Sequence, residues 1–138
     1  MSHKSSQVKA LLNDDVLAIG ISPEAFTAEE LAPFNLTVEK LAAQVERGWA
    51  AIQAAGVVGE LCSVSKDPDE AEAEIRKRFA QRSFGLATVG SGVRLLPENT
   101  VLFERIVNVL VDLQPDIRLG FATGPKNMLE AIRRWLDR

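Results

Sequence analysis

Four short apolar runs alternate along this 138-residue chain with four segments whose apolar residues recur at helical spacing. The runs cover residues 16–21, 57–64, 84–89 and 117–122. Alternation of strands and helices is typical of a parallel sheet whose strands are joined by right-handed crossovers. The pattern therefore predicts a single α/β domain over residues 1–138, with three α/β/α layers around a four-stranded parallel sheet.

The composition of the four runs predicts their order in the sheet. The first and third runs are apolar almost throughout, as expected of strands that helices cover on both faces. The second run contains Glu60 and Ser63 and the fourth contains Arg118, and such polar side chains are typical of edge strands. We therefore expect the order 2-1-3-4, a flavodoxin-like or Rossmann-like arrangement whose strand order reverses between strands one and three.

Helix start and stop signals lie between the predicted strands. Gly56 follows the first helical pattern and suits a left-handed C-terminal stop. Asp67 is the predicted N-cap of the second helix, with Pro68 in its first position and Glu70 completing a capping box. Pro125 is predicted to open the last helix.

Composition excludes several classes of function. The net charge of −3 gives no basic surface, so we expect neither nucleic acid nor an anionic membrane as partner. Cys62 and His3 are the only cysteine and histidine, which excludes an intrachain disulfide and argues against a metal site. No secretory leader and no apolar run of about 18 residues is visible, so a cytoplasmic location is predicted. Residues 1–12 are expected to be frayed or loosely packed, and His3 within them has no predicted role.

Ligands of open parallel sheets bind outside the carboxyl ends of the strands, where the strand order reverses. Residues 20–24 and 90–94 are predicted to meet at that point, with residues 123–127 as a third wall. The candidate ligand-binding residues are Gly20, Ser22, Gly90, Ser91, Gly92, Arg94, Thr123 and Gly124. Glu24 is the candidate general base, because its carboxylate has no simpler explanation.

The Gly90-Ser91-Gly92 sequence is the strongest of these signals. Paired glycines let backbone N–H groups approach a phosphate or carboxylate, and a following helix start adds partial positive charge. Arg94 is placed to hold the same anion through a bidentate fork. A third glycine at dinucleotide spacing and a Walker lysine are both missing, which argues against a nucleotide-binding enzyme. A tight turn with a solvent-facing Arg94 is the alternative, and an ordinary helix start is the alternative for Thr123 and Gly124.

Other reactive side chains have structural interpretations. Cys62 has no histidine partner visible in the sequence, which favours a buried inert thiol over a nucleophile. Asp67 and Glu98 are explained as charges that stabilise helix starts. No cofactor is expected.

Two segments leave alternatives open. The loop of residues 22–36 carries Phe26 and Phe34 and a short helical turn near residues 28–31, and it is either a flap over the carboxyl edge or an ordinary crossover. The third helix, from Glu98 to Gln114, is polar only along a narrow arc, so a second flank must be buried. Either a neighbouring helix or a second copy of the chain covers that flank, which makes a homodimer one expectation.

The second half of the chain carries a family resemblance. The residues that carry it are Gly90-Ser91-Gly92-Val93-Arg94, Pro97, Leu102-Phe103-Glu104, Asn108, Thr123-Gly124-Pro125 and Arg134-Trp135. These residues resemble small uncharacterised Rossmann-like proteins of bacteria and fungi. The resemblance implies the fold and no particular activity.

Two functions follow from the sequence. The first is binding of an anionic small molecule at the carboxyl edge, with cofactor-free catalysis left open; a reaction there would depend on stabilising a developing oxyanion, with Glu24 as base. The alternative is a non-catalytic homodimeric or partner-binding module, in which the third helix and Trp135 form the contact surface.

Overall fold

The computed structural model describes residues 8–124 and 126–136. Its strands and helices are, in chain order, β1 (Asp15–Ile21), α1 (Ala28–Leu31), α2 (Val38–Ala54), β2 (Val58–Val64), α3 (Pro68–Phe79), β3 (Leu86–Val89), α4 (Ser91–Arg94), α5 (Thr100–Leu113), β4 (Arg118–Phe121) and α6 (Met128–Leu136). Single 3-10 turns cover Pro23–Ala25, Ala32–Phe34 and Pro97–Asn99.

In the described part of the chain the strands form one four-stranded sheet of order β2-β1-β3-β4, and every neighbouring pair is parallel. The register runs from Asp15 opposite Val58 to Ile21 opposite Val64 between β1 and β2. The central residues of β1 and all of β3 are buried, whereas β2 and β4 are partly exposed. The predicted three-layer, flavodoxin-like or Rossmann-like fold is therefore confirmed, including its strand order.

Helices cover both faces of the sheet. Because successive strand residues point to opposite faces, Leu17 and Ile19 face α3 and α5, while Val16 faces α2 and α6. The buried cluster on the first face includes Leu17, Ile19, Ile75, Phe84, Ile106 and Leu110. The smaller cluster on the second face is built from Val16, Ile52, Leu86 and Ile132.

The helix signals at Gly56, Asp67 and Pro68 are confirmed, whereas the predicted capping box is wrong. Gly56 has a φ of 90°, the left-handed stop expected after α2. Asp67 caps α3, but its carboxylate accepts from the N–H of Asp69 at 3.0 Å. Glu70 therefore does not complete a capping box; its Oε1 instead accepts from the hydroxyl of Ser65 at 2.7 Å.

Two helices begin later than predicted. The predicted start at Glu98 lies in a 3-10 turn, and α5 begins at Thr100. The last helix begins at Met128 instead of Pro125, because Thr123 and Asn127 close a turn after β4 through a 2.8 Å side-chain hydrogen bond. Pro125 itself lies outside the described residues.

The described N-terminal residues contact the sheet. Arg118 donates two hydrogen bonds to the carbonyl of Lys9, at 3.2 and 3.1 Å, and Leu11 packs against the smaller buried cluster. His3 lies outside the described residues. Over residues 8–124 and 126–136, none of the helices has the length and apolar character that crossing a membrane requires.

Candidate functional site

The two segments predicted to meet at the switch point do so. The N–H of Gly90 donates to the carbonyl of Ile19 at 2.8 Å, which continues the β1–β3 pairing past the end of β3. A methyl group placed on Gly90 would lie 3.8 Å from the Cα of Gly20 and 3.9 Å from the Cε of Met128. The carboxyl ends of β1 and β3 and the start of α6 are therefore adjacent.

On the β1 side of this edge, the space beside Gly20 is open and a hydrogen bond holds the backbone of Ser22. Apart from its own chain neighbours, no described residue has an atom within 4 Å of the position that a Cβ on Gly20 would take. The N–H of Ser22 donates to the carbonyl of Val64 at 2.8 Å, so its backbone continues the pairing with β2. Ser22 is half-buried, and its hydroxyl stays a predicted ligand contact.

The short helix α4 presents two backbone donors at the end of β3. Gly90 is its N-cap, and the carbonyl of Gly90 accepts from the N–H groups of Val93 and Arg94. Within the described residues, the N–H groups of Ser91 and Gly92 make no hydrogen bond. Unbonded backbone N–H groups can donate to an anion, because the N–H groups of a first helical turn have no intrahelical acceptor.

Arg94 lies between the ends of β3 and β4. Its Nη2 donates to the carbonyl of Ala122 at 3.1 Å, and its guanidinium lies 5.9 Å from the centre of the Phe121 ring. The side chain is half-buried, and its Nε is buried without a hydrogen-bond partner among the described residues. A solvent-facing Arg94 is therefore wrong, because this carbonyl and ring hold the guanidinium at the sheet edge.

A polar residue that sequence reasoning missed lies beneath this edge. Thr88 in β3 is fully buried, and its Oγ1 has no partner among the residues described. Strand alternation places Thr88 on the same sheet face as Gly20 and Gly90. The signal that could have identified Thr88 in the sequence was a single polar residue within an otherwise apolar strand.

Of the remaining predicted site residues, Thr123 and Gly124 close a turn, and Glu24 has no contact that assigns it a role. Thr123 accepts from the side chain of Asn127, and the carbonyl of Gly124 accepts from the N–H of the same residue at 3.2 Å. Glu24 is exposed in a 3-10 turn and forms no hydrogen bond or ion pair with any described residue. Ligand binding by Thr123 and Gly124 and catalysis by Glu24 stay predictions.

The thiol of Cys62 is protonated at neutral pH. Burial in the core raises the pKa of Cys62 to about 12, although the nearby charge of Arg78 acts in the opposite direction. Because the thiolate is the reactive form of cysteine, this environment supports the inert interpretation.

The loop of residues 22–36, here called the flap, packs over the carboxyl edge as one alternative predicted. Lys66, which follows β2, donates from Nζ to Oε2 of Glu30 at 2.6 Å and lies 4.6 Å above the centre of the Phe26 ring. Thr27 and Glu30 form a capping box that starts α1. The Phe26 ring also reaches within 4.0 Å of the position of a Cβ on Gly92.

A groove of about 230 Å³ separates the flap from the chain that follows α4, and we call it the flap groove. Its lining residues are Phe26, Glu30, Leu31, Phe34, Leu96 and Glu98. Sequence reasoning missed this groove because its two walls lie far apart along the chain. The available signal was the unusual apolar content of the flap.

One flank of α5 is covered by α3. Arg105 on α5 pairs with Asp69 at 2.8 Å and Glu72 at 3.0 Å on α3, and Arg76 pairs with Asp112 at 3.4 Å. A neighbouring helix therefore buries this flank of α5, which is one of the two alternatives predicted from the sequence. The homodimer stays a prediction.

A second concavity, of about 380 Å³, lies at the opposite end of the sheet between α3 and α5. Its lining residues are Arg76, Phe79, Ala80, Arg82, Ser83, Leu113 and Gln114. In the part of the chain that the structure describes, no group of three or more His, Cys, Asp or Glu side chains is arranged to hold a metal ion.

Comparison of the chain with protein-family models, curated proteins and solved structures gives no match. The resemblance of the second half to small Rossmann-like proteins therefore stays a prediction.

Proposed function

We propose that this protein binds a small molecule bearing a phosphate or carboxylate at the carboxyl edge of its sheet. The observation that carries the proposal is that the N–H groups of Ser91 and Gly92, on the same short helix as the half-buried Arg94, bond to no described residue. Two backbone donors and one guanidinium supply both the directed hydrogen bonds and the charge that an anion needs.

The surroundings of these donors support the same proposal. The position of a Cβ on Gly20 is open among the described residues, and it lies at the point where the strand order reverses, which is where ligands of open parallel sheets bind. The half-buried Ser22 adds a hydroxyl at this edge, and the Thr88 hydroxyl, which has no partner among the described residues, lies buried beneath it. A reaction of the bound molecule would use the N–H groups to stabilise a developing oxyanion. A cytoplasmic location belongs to this proposal.

A thermal-shift screen against phosphorylated and carboxylated metabolites tests the proposal. A specific ligand at one hundred times its Kd stabilises the folded chain by about 2.7 kcal/mol. We expect hits to raise the midpoint of the wild type and of Arg133→Ala, which removes an exposed arginine on α6. Arg94→Ala should lose the ligand-dependent shift, and Arg94→Lys should keep only part of it.

Two results would contradict anion binding at this site. One is a complete panel with no hit against the wild type. The other is a hit whose shift is equal in wild type and Arg94→Ala, since a ligand bound by this edge must respond to the loss of the guanidinium.

The alternative function, a homodimeric module, is favoured by exposed apolar residues on α5. Val101 is 62% and Val111 44% exposed. At about 100° per residue, Glu104 and Asn108 fall between these two valines on the helix surface, so the exposed strip is mixed and not continuously apolar. Light scattering that finds a dimer in the wild type and a monomer in Val101→Asp would favour this module.

A further inference from the structure

The flap groove has apolar walls that face the solvent. Leu31 is buried at its base, but the Phe34 side chain on its rim is 67% exposed. Leu96 forms the opposite wall, and the exposed Leu95 precedes it. Exposed aromatic and aliphatic side chains that line a concavity are typical of sites that receive an apolar group.

The size of the groove limits what enters it. Pockets for complete small-molecule ligands usually measure about 300–1,000 Å³, whereas this groove measures about 230 Å³. It therefore suits one large apolar side chain better than a whole cofactor or metabolite. A single anchoring side chain in a pocket is a common feature of protein–protein contacts.

The charge around the groove is negative. Glu30 and Glu98 are its charged lining residues. The flap contains three glutamates, at positions 24, 29 and 30, and neither lysine nor arginine. Lys66 is bound to Glu30 at 2.6 Å, and this ion pair holds the pKa of the Glu30 carboxyl below its usual value. The charge of Glu30 is thus balanced by Lys66. The other two flap glutamates and Glu98 form no ion pair with any described residue, so they make the surroundings of the groove acidic.

The contact of Lys66 illustrates how this surface receives a cation. Its ammonium lies between the Glu30 carboxylate and the face of the Phe26 ring. Aromatic faces attract ammonium and guanidinium groups, and carboxylates beside them strengthen the attraction. Phe34 and Glu98 line the same groove, so an aromatic side chain and an acidic side chain are both available there to a cation.

We infer that the flap groove binds a segment of a partner protein in which one large apolar side chain is flanked by lysine or arginine. The apolar side chain inserts between Phe34 and Leu96, and the flanking cations pair with Glu98 and the flap glutamates. This inference does not rest on the anion site at the start of α4, because it uses different residues and the opposite charge.

Short labelled peptides provide the test, by fluorescence anisotropy at low salt. The probes carry one central residue, alanine or leucine, between pairs of lysines, and a matched set carries glutamates in place of the lysines. We expect the leucine–lysine peptide to bind at least about tenfold more tightly than the alanine–lysine peptide. The glutamate peptides should not bind, and salt should weaken the complex.

Variants of the chain locate the binding. Phe34→Ala should weaken binding of the leucine–lysine peptide about tenfold, and Glu98→Gln should weaken it and reduce its salt dependence. Val58→Ala is the matched control, because Val58 is a similarly exposed apolar residue at the amino end of β2. Circular dichroism verifies that the variants remain folded, as the exposure of their side chains leads us to expect.

Three results would overturn the inference. The first is an affinity that does not depend on the central residue or on the sign of the flanking charges. The second is equal binding by wild type and Phe34→Ala. The third is a wild-type dimer, seen by light scattering without peptide, that Phe34→Ala dissociates, since a second copy would then occupy the groove.

Discussion

Two chemically identical substitutions, Gly59→Ala and Gly48→Ala, should change stability in opposite directions. Gly59 pairs with Val16 where β2 meets the central strand β1. A Cβ on Gly59 would lie 2.8 Å from the carbonyl carbon of Val16, 2.9 Å from its nitrogen and closer still to its oxygen. Contacts under 3.0 Å are essentially never seen for real Cβ atoms, so the backbone of one strand must move.

The expected magnitude follows from what surrounds each glycine. Inserting a carbon atom into a filled space costs about 1–3 kcal/mol and occasionally more. The obstructing atoms are backbone atoms of a fully buried strand residue, so we expect a loss of about 3 kcal/mol at Gly59. Gly48 lies inside α2, and beyond the helix's own backbone no described residue has an atom within 4 Å of its Cβ position. Alanine there should gain about 0.5–1 kcal/mol, because glycine is costly in a helix interior.

Urea unfolding followed by circular dichroism measures both effects as differences in the free energy of unfolding, provided that the m-values agree. The two variants should differ by about 4 kcal/mol, the sum of the expected loss and gain. A Gly59→Ala protein within about 0.5 kcal/mol of the wild type, the usual range for harmless surface changes, would refute the register of β2 against β1.

Three further predictions concern the core, the thiol and the flap. Phe84→Ala removes a fully buried ring that packs edge-on against Phe79 at 5.2 Å; it should cost about 3–5 kcal/mol in urea unfolding, and a loss below about 1 kcal/mol would contradict that packing. Cys62, whose pKa is raised to about 12, should react with a disulfide reagent at mildly alkaline pH only as the chain unfolds, and immediate labelling of the native protein would contradict its burial. Glu30→Gln should lower the thermal midpoint at neutral pH, because the ion pair with Lys66 depresses the pKa of Glu30. The stabilisation by this ion pair is complete above the ordinary carboxyl pKa of 4.5, and it is lost as the pH falls through the lower pKa of the folded state. A difference in thermal midpoint between wild type and Glu30→Gln that persists in strong acid would contradict the charge pairing.

The strand order was predictable because it depends on burial, which residue type reports directly. Residues 16–19 are apolar and fully buried in the centre, while Glu60 and Arg118 occupy edge strands where their charges meet other polar groups. The meeting of Gly20 and Gly90 then followed from topology alone.

Features that depend on competition between nearby polar groups were not predictable. Glu70 had a local capping partner available but bonds the hydroxyl of Ser65, and this choice depends on side-chain geometry. Arg94 bonds the carbonyl of Ala122, which is 28 positions away along the chain. The spacing of residues 90–94 predicts that Arg94 lies at the edge, but it does not predict the direction in which the guanidinium points.

The flap groove is another feature that could not be predicted from the sequence. Phe34 and Leu96 come from segments that share no periodicity, and only the folded chain brings them to the same concavity. The sequence indicated that the flap is too apolar for a linker but not which surface it would meet.

The central claim is that an anion binds the N–H groups at the start of α4. Amide chemical shifts in a ¹⁵N-labelled sample, recorded while inorganic phosphate or a hit from the thermal-shift screen is added, report on those groups directly. We predict that the largest saturable changes occur at the amides of Ser91 and Gly92 and at the Nε–H of Arg94. The claim would be contradicted if the chemical shifts of the Ser91 and Gly92 amides did not change while changes were spread over exposed basic residues such as Arg133.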